Sequence, residues 1–396
     1  MIYFHWIAGT LLALIWLSRV IDTSFGMRTL VNISRAEWDR NPVTPAGDPR
    51  VSIIVPARNE EESVSEALSR LLQLDYSNYE VIAVDDRSTD KTGEIMDNIA
   101  TCRQGRTRPS NPSLKIIHIK ELPSGWMGKA HAMWAAGKQA SGDWLLFTDA
   151  DVMFRPDALR RAIAYAESEN GDHLVLFPRM LMKTAGEKMM LAFFQLMFVF
   201  GHRPWKVADP KAKDHIGVGA FNLVRRSAYE GIGTYEALRF EVVDDMKLGK
   251  LIKNAGLRQR NVVGGNLLDI RWAHGAHGVV RNLTKNFFAV LSFQTWRAIG
   301  FCIAAAFFNV LPFAGIFWAH GWARLSYAIA LACILFFYIG MSRFSDVRPW
   351  YIVLHPVATL MFIYIVLRSM FFALWSGGIE WRGTRYPLEE LRKGLV

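Results

Sequence analysis

Residues Trp144 to Asp151 read W-L-L-F-T-D-A-D, and the fold turns on them. Four apolar or aromatic residues in a row are too few for a helix of their own. They predict a strand buried on both faces, as in a parallel sheet. The run stops at two carboxylates, Asp149 and Asp151, spaced so that both can turn toward one point beyond the strand end. In open α/β sheets ligands bind outside the carboxyl ends of the strands. Two acids held together there call for a positive partner, and a divalent cation shared with phosphate oxygens is the natural one. Alone, such a D-x-D is more often a polar loop, so its weight depends on its surroundings.

Working outward, further strand-like runs are V-S-I-I-V (51–55), E-V-I-A-V (80–84), K-I-I-H-I (115–119) and H-L-V-L-F (173–177). Helical patterns lie between them. Asn59 is expected to cap a helix with Glu60, Glu61 and Glu62 in its first turn and Val64, Ala67, Leu68 and Leu71 on one face. Asp90 is expected to open a second helix, Lys129–Ala140 reads as a third, and Pro156 suits the first turn of a fourth. Strand alternating with helix predicts right-handed crossovers and a mainly parallel, Rossmann-like sheet. The polar stretch Thr101–Ser113 reads as an exposed insertion.

Three strand ends then converge. The first runs into Pro56, Ala57, Arg58, Asn59 and Glu60, a turn able to line a base and ribose. The second ends at Asp85 and Asp86, able to accept from a nucleoside N–H or hydroxyl, although capping the following helix is their plainer role. Gly125-Trp126-Met127-Gly128-Lys129 precedes a helix whose N–H groups and one lysine could hold an anion. A nucleotide diphosphate with a metal satisfies all three.

The chain of 396 residues is 51% apolar, with 14 Trp and 25 Phe, and charge thins toward the C-terminal third. That distribution predicts membrane segments. A net charge of +10 could suit nucleic acid, but no basic helix or basic-aromatic RNA motif is present, and an anionic membrane surface fits better. Cys102, Cys302 and Cys333 make no disulfide framework.

The first apolar run, Trp6 to Val20, lacks a basic leader and a cleavage site and reads as an anchor (1–23). Arg28, Arg35 and Arg40 follow it and place its C-terminal flank in the cytoplasm. A linker (24–50) leads to a catalytic domain expected over 51–278. Met189–Phe200 is too short to span and suits a buried or an interfacial helix. The segment 279–296 reads as an amphipathic helix on the membrane surface. Three apolar stretches follow within 297–375, then a basic tail, 376–396. Four crossings would leave that tail outside, against the positive-inside rule, so one segment is expected to be re-entrant, with Pro312 or His355-Pro356 as the break.

The ordered set V-S-I-I-V-P-A-R-N-E, V-I-A-V-D-D-R-S-T-D, W-M-G-K-A-H-A-M and F-T-D-A-D, with E-V-V-D-D-M-K-L-G-K-L-I-K-N-A-G (241–256), resembles the family 2 glycosyltransferases over residues 50–300. The resemblance implies the GT-A fold and an inverting hexosyltransferase using a nucleotide sugar, usually a UDP-sugar, with Mg2+ or Mn2+. It implies that Asp85 and Asp86 contact the nucleoside, Lys129 the diphosphate, and Asp149 and Asp151 the ribose and metal. Asp245, with Asp244 beside it, matches the catalytic base. Gly219 and Phe221, in G-V-G-A-F-N, look like a loop near the acceptor.

Processive cellulose- and hyaluronan-type synthases carry Q/R-x-x-R-W after the base. Here Arg271 and Trp272 supply only R-W, with Leu268 at the first polar position. The tail W-R-G-T-R-Y (381–386) is similar to ceramide-glucosyltransferase-like enzymes, which implies one transfer to a lipid acceptor, of the hopanoid- or carotenoid-associated kind. His274 and His277 could pair on a metal, but contact with a diphosphate or lipid head group fits them better, and an ordinary loop is their default reading. The expected protein is an integral enzyme of a bacterial inner membrane with its catalytic domain in the cytoplasm. The competing readings are a processive polysaccharide synthase and a silent scaffold that binds nucleotide sugar.

Overall fold

The computed structural model describes residues 2–44, 47–104 and 112–395. The chain divides into two compact units. One comprises Leu30–Leu181, Pro204–Arg271 and Lys393–Val396; the other comprises Met1–Thr29, Met182–Arg203 and Trp272–Arg392. The continuous domain expected over 51–278 is therefore interrupted. Residues 182–203 join the apolar helices because that segment offers aromatic side chains where a surface helix would be polar, with Phe193 fully buried and Phe194 stacked on Trp272.

The first unit is built on strands β1 (Val51–Ala57), β2 (Tyr79–Asp86), β3 (Ser113–Ile119), β4 (Trp144–Phe147), β5 (Val152–Phe154), β6 (His173–Phe177), β7 (Arg179–Met180), β8 (Asn222–Arg225), β9 (Gln259–Val263) and β10 (Leu268–Ile270). The main sheet has the order β3-β2-β1-β4-β8-β6-β9. Only β8 runs against its neighbours; the other adjacent pairs are parallel. Strands β1 and β4 are buried along their whole length, as unbroken apolar runs in a covered parallel sheet must be. A small sheet, β5-β10-β7, stands apart.

The helix Val64–Leu71 buries Val64, Ala67, Leu68 and Leu71, as its periodicity predicts. Asn59 is not its cap. Its backbone is left-handed (φ 55°), Ser63 holds the N-cap position, and the three glutamates fall in the preceding turn. The Asn59 side chain instead accepts from Thr89 N at 2.8 Å, tying the β1 and β2 loops together. Asp90 Oδ1 accepts from Thr92 N at 2.9 Å at the head of the helix Thr92–Gln104. The third helix is Gly128–Gly137. Pro156 lies in the turn before the helix Ala158–Ser168 rather than in its first turn, and its carbonyl accepts from Asp75 N. Of the stretch Thr101–Ser113, residues 101–104 prolong a helix, Ser113 opens β3, and residues 105–111 lie outside the described residues.

In the second unit, three helical segments are long and apolar enough to cross a membrane: Tyr3–Thr29, Gly321–Met341 and Pro349–Trp375. A bent pair, Thr295–Asn309 with Leu311–Trp318, makes a fourth if counted as one span, its halves inclined by 46°. Pro312 sits at the start of the second half, so the expected break is there. Pro356 breaks nothing. It occupies the first turn of His355–Trp375, where a missing N–H costs no hydrogen bond. His355 itself is fully buried between Tyr338 Oη and Asn309 Oδ1, each at 3.1 Å. The expected surface helix spans Gly275–Val290. The helices Ile2–Gly26 and Gly321–Met341 lie side by side and run in the same direction, His5 meeting Tyr327 and Trp16 meeting Phe337. The tail forms a hairpin, β11 (Gly378–Trp381) and β12 (Thr384–Pro387), and a short helix.

Candidate active site

Beyond Phe147 the chain leaves the sheet under backbone control. Thr148 N donates to Ile54 O at 3.1 Å and Asp149 N to Gly219 O at 3.0 Å. Thr148 Oγ1 donates to Ala220 O at 2.8 Å. These bonds pin the end of β4 to the loop before β8 and fix where Asp149 stands. Gly219 leaves Asp149 its place, because a Cβ would lie 2.5 Å from Asp149 Oδ2 and push that side chain aside. Gly217 is more constrained still, since its Cβ would fall 1.7 Å from the Asp245 carbonyl oxygen.

The same loop holds the helix Asp244–Asn254. Asp245 Oδ2 accepts from Gly219 N at 2.8 Å and Oδ1 from Met246 N at 2.7 Å. Asp244 is buried, with Tyr235 Oη 3.4 Å from its Oδ2. Lys129, at the start of its own helix, reaches Asp149 Oδ1 at 2.8 Å and Asp244 Oδ1 at 3.8 Å. Five residues scattered over more than a hundred positions thus meet: Lys129, Asp149, Gly219, Asp244 and Asp245.

Charge is not balanced there. Burial works against the Lys129 ammonium, but Asp149, Asp244 and Asp245 outweigh it and hold its pKa above the ordinary lysine value. Burial pushes Asp244 up to about 7; Lys129 opposes this, while Asp245 and Asp149 add to it. Asp245 is raised by burial too, against the pull of Lys129 and of the two N–H groups it accepts from. Asp151 is pushed up to about 7 by burial, with Asp149 and Glu60 adding repulsion. One ammonium faces a surplus of carboxylates.

That surplus fits a divalent cation. Asp149 and Asp151 are hard oxygen donors, and Asp151 sits where a second positive charge is favoured. Among the described residues no three His, Cys, Asp or Glu side chains form a group that could hold a metal ion alone. Two carboxylates completed by substrate phosphates and water suit Mg2+ or Mn2+.

The other expected residues divide. Pro56 and Ala57 are buried in β1, so Arg58, Asn59 and Glu60 of that turn keep exposed surface. Asp85 Oδ1 accepts from Ser88 N at 3.1 Å. Asp86, buried, is paired with Arg87 Nε at 2.8 Å. Phe221 does not line a cleft. It is fully buried, its ring 6.0 Å from Phe154. Arg271 closes the sheet unit, whereas Trp272, His274 and His277 belong to the unit of apolar helices. Both histidines are exposed and neither is in a group able to hold a metal. Tyr235 and Arg87 were missed from the sequence. Arg87 sits in the D-D-R-S-T-D motif and could have been suspected; nothing local marks Tyr235.

Residues 52–233 match the model of glycosyl transferase family 2. The chain carries a family 2 glycosyltransferase domain. This glycosyltransferase is 22% identical to the 4,4'-diaponeurosporenoate glycosyltransferase of Staphylococcus aureus strain N315, over 95% of this chain and 99% of that protein. The protein of the same name from strain USA300 is 22% identical over 86% of this chain and 89% of the relative. The solved mannosyltransferase of Pyrobaculum calidifontis, in complex with GDP-Man and Mn2+, is similar in fold. Its TM-score is 0.51 at 20% identity, covering 93% of this chain and 99% of that one. The sheet of the glycosyltransferase is of the GT-A type, mostly parallel with one reversed strand.

Proposed function

We propose that this glycosyltransferase moves a single sugar, with inversion, from a UDP-sugar to a hydroxyl of a lipid acceptor. The observation that carries the reading is the cluster at Gly219, where Lys129, Asp149, Asp244 and Asp245 meet at strand and helix ends. Displacement at an anomeric carbon needs the acceptor deprotonated on one side and the diphosphate neutralised on the other. In this reading Asp245 is the base. Its carboxylate is aimed by two N–H groups, and burial raises its pKa toward working pH, as a general base requires. Asp244 holds Lys129 toward Asp149, and the Lys129 ammonium offsets diphosphate charge. Asp151 and Asp149 would hold Mg2+ or Mn2+, which when bound supplies Lewis-acid stabilisation of the departing diphosphate. Arg58, Glu60, Asp85 and Asp86 shape the nucleoside end, and Gly219 leaves room for close approach.

The three long apolar helices support a membrane enzyme. We place the sheet unit on the cytoplasmic side of a bacterial inner membrane, where nucleotide sugars are available and where Arg28, Arg35 and Arg40 follow the first helix. A second reading of the acceptor has its own support: the relatives' name is that of a carboxylate. The acid pair Asp244–Asp245 favours the hydroxyl, because it would repel a carboxylate and because an ionised acid needs no base.

The test is incubation of the purified enzyme with labelled UDP- and GDP-sugars and native lipid extract, followed by lipid mass spectrometry. One added hexose mass on a lipid is expected. A ladder of growing mass would mean a processive synthase, and no product with any donor would mean a binding scaffold.

A further inference from the structure

Asp85 does not stand alone at the end of β2. Its Oδ2 faces His118 Nδ1 at 3.1 Å, across the register partner on edge strand β3. The other ring nitrogen, His118 Nε2, faces Asp97 Oδ1 at 3.0 Å, from the helix Thr92–Gln104. An imidazole with a carboxylate at each nitrogen can bond both only by donating twice, which makes it an imidazolium. Hydrogen bonding to Asp97 and then to Asp85 raises its pKa, against partial burial.

The arrangement continues beyond Asp85. Asp85 Oδ1 accepts from Ser88 N, Ser88 Oγ accepts from Asn59 N at 3.1 Å, and Asn59 Oδ1 accepts from Thr89 N at 2.8 Å. A chain of bonds therefore runs from Asp97 through His118 and Asp85 into both loops assigned above to the nucleoside. The fit is close. A Cβ on Gly93 would come within 2.6 Å of Asp85 Oδ2 and 3.4 Å of His118 Cε1.

We infer that His118, backed by Asp97, is a positioning residue for the nucleotide, holding Asp85 and through it the Ser88–Asn59 loop pair. This rests on the donor-site reading of Asp85. The charged groups facing His118 are Asp85 from β2 and Asp97 from the neighbouring helix. The sign follows from them. At pH below the raised His118 pKa the imidazolium bridges both acids and the loops are held. As pH rises through that value the proton is lost, one carboxylate faces a lone pair, and nucleotide binding weakens.

The experiment is calorimetric titration of the full-length enzyme with UDP, and in parallel GDP, in Mn2+ between pH 6 and 8.5. Wild type is expected to lose affinity with rising pH relative to His118→Gln. The variant should bind about 2- to 5-fold more weakly at pH 6, the scale of a partly exposed ion pair, and converge with wild type at high pH. Asp97→Asn should move the wild-type midpoint to lower pH without removing it, an effect that simple loss of packing would not give. If His118→Gln follows the wild-type pH profile while Asp85→Asn weakens binding, the donor site stands and this inference fails. If Asp85→Asn binds UDP and GDP as wild type does, the donor reading of Asp85 fails and takes the inference with it.

Discussion

Two buried aspartates, Asp86 and Asp244, are equally hidden, each 4% exposed, yet they live in opposite electrostatic settings. Asp86 has a guanidinium of its own, Arg87, at 2.8 Å. Its neighbour Asp85 likewise has His118. Asp244 must share one ammonium, 3.8 Å away, with Asp149 and Asp245. Burial is the same, so the difference is charge balance. The β2 end is a paired scaffold that orders loops. The Gly219 cluster carries a deficit of positive charge, which a proton, a metal or a reacting acceptor must meet.

The largest expected effect tests the unbalanced side. Asp245→Asn keeps size and polarity but cannot take a proton, so transfer to a hydroxyl acceptor should fall by ~10²–10⁴, with UDP affinity nearly unchanged. An unchanged rate would point to an acceptor already ionised, or to Asp244 as base if Asp244→Asn is the inactive variant. Steady-state rates with saturating donor decide this.

Next in size, Lys129→Met leaves three carboxylates without their ammonium. The Lys129–Asp149 pair is a quarter to a third exposed, its side chains at 25% and 34%, so its loss should cost less than the about 3–5 kcal/mol of a fully buried pair, and the apo enzyme should melt below wild type in a thermal scan. Added Mn2+ should recover part of the loss if metal and lysine answer the same deficit. Gly219→Ala is expected to cost less, about 1–3 kcal/mol as overpacking does. It should displace Asp149, visible as weaker Mn2+-dependent UDP binding in a folded protein.

The smallest effect is pH-dependent. Asp151 and Asp244 have folded values near 7, above the unfolded value of about 4. Their protonation favours the folded state, so this contribution is complete below the unfolded value and is lost as pH climbs through 7. Without metal, the melting temperature should drop from about pH 4 to about pH 7 and level off above. Asp151→Asn should flatten part of that slope. A flat wild-type profile would mean that the two acids are not short of positive charge.

The balanced and unbalanced regions were not equally legible in the sequence. Strands β1, β2, β4 and β6 announce themselves as apolar runs, and acids after two of them mark the ligand end of the sheet. Strand β8 hides because N-L-V-R is short and half polar, and its reversed pairing with β4 is a tertiary fact. Asp149, Asp151 and Asp245 stood out by motif. Their shared dependence on Lys129 did not, since that pairing arises only when separate elements pack together. Phe221 misled because a glycine-rich loop suggests an open site, whereas its ring packs inward near Phe154. Asn59 misled in the opposite way: it has the chemistry of a helix cap but the left-handed backbone of a loop staple.

The shared direction of Ile2–Gly26 and Gly321–Met341 turns the membrane question into arithmetic of odd and even. Neighbours that both cross in the same sense need an odd number of crossings between them. Among the described residues the bent pair, Thr295–Asn309 with Leu311–Trp318, is apolar enough to supply one, and it does so where its halves, inclined by 46°, make one broken span and not a re-entrant loop.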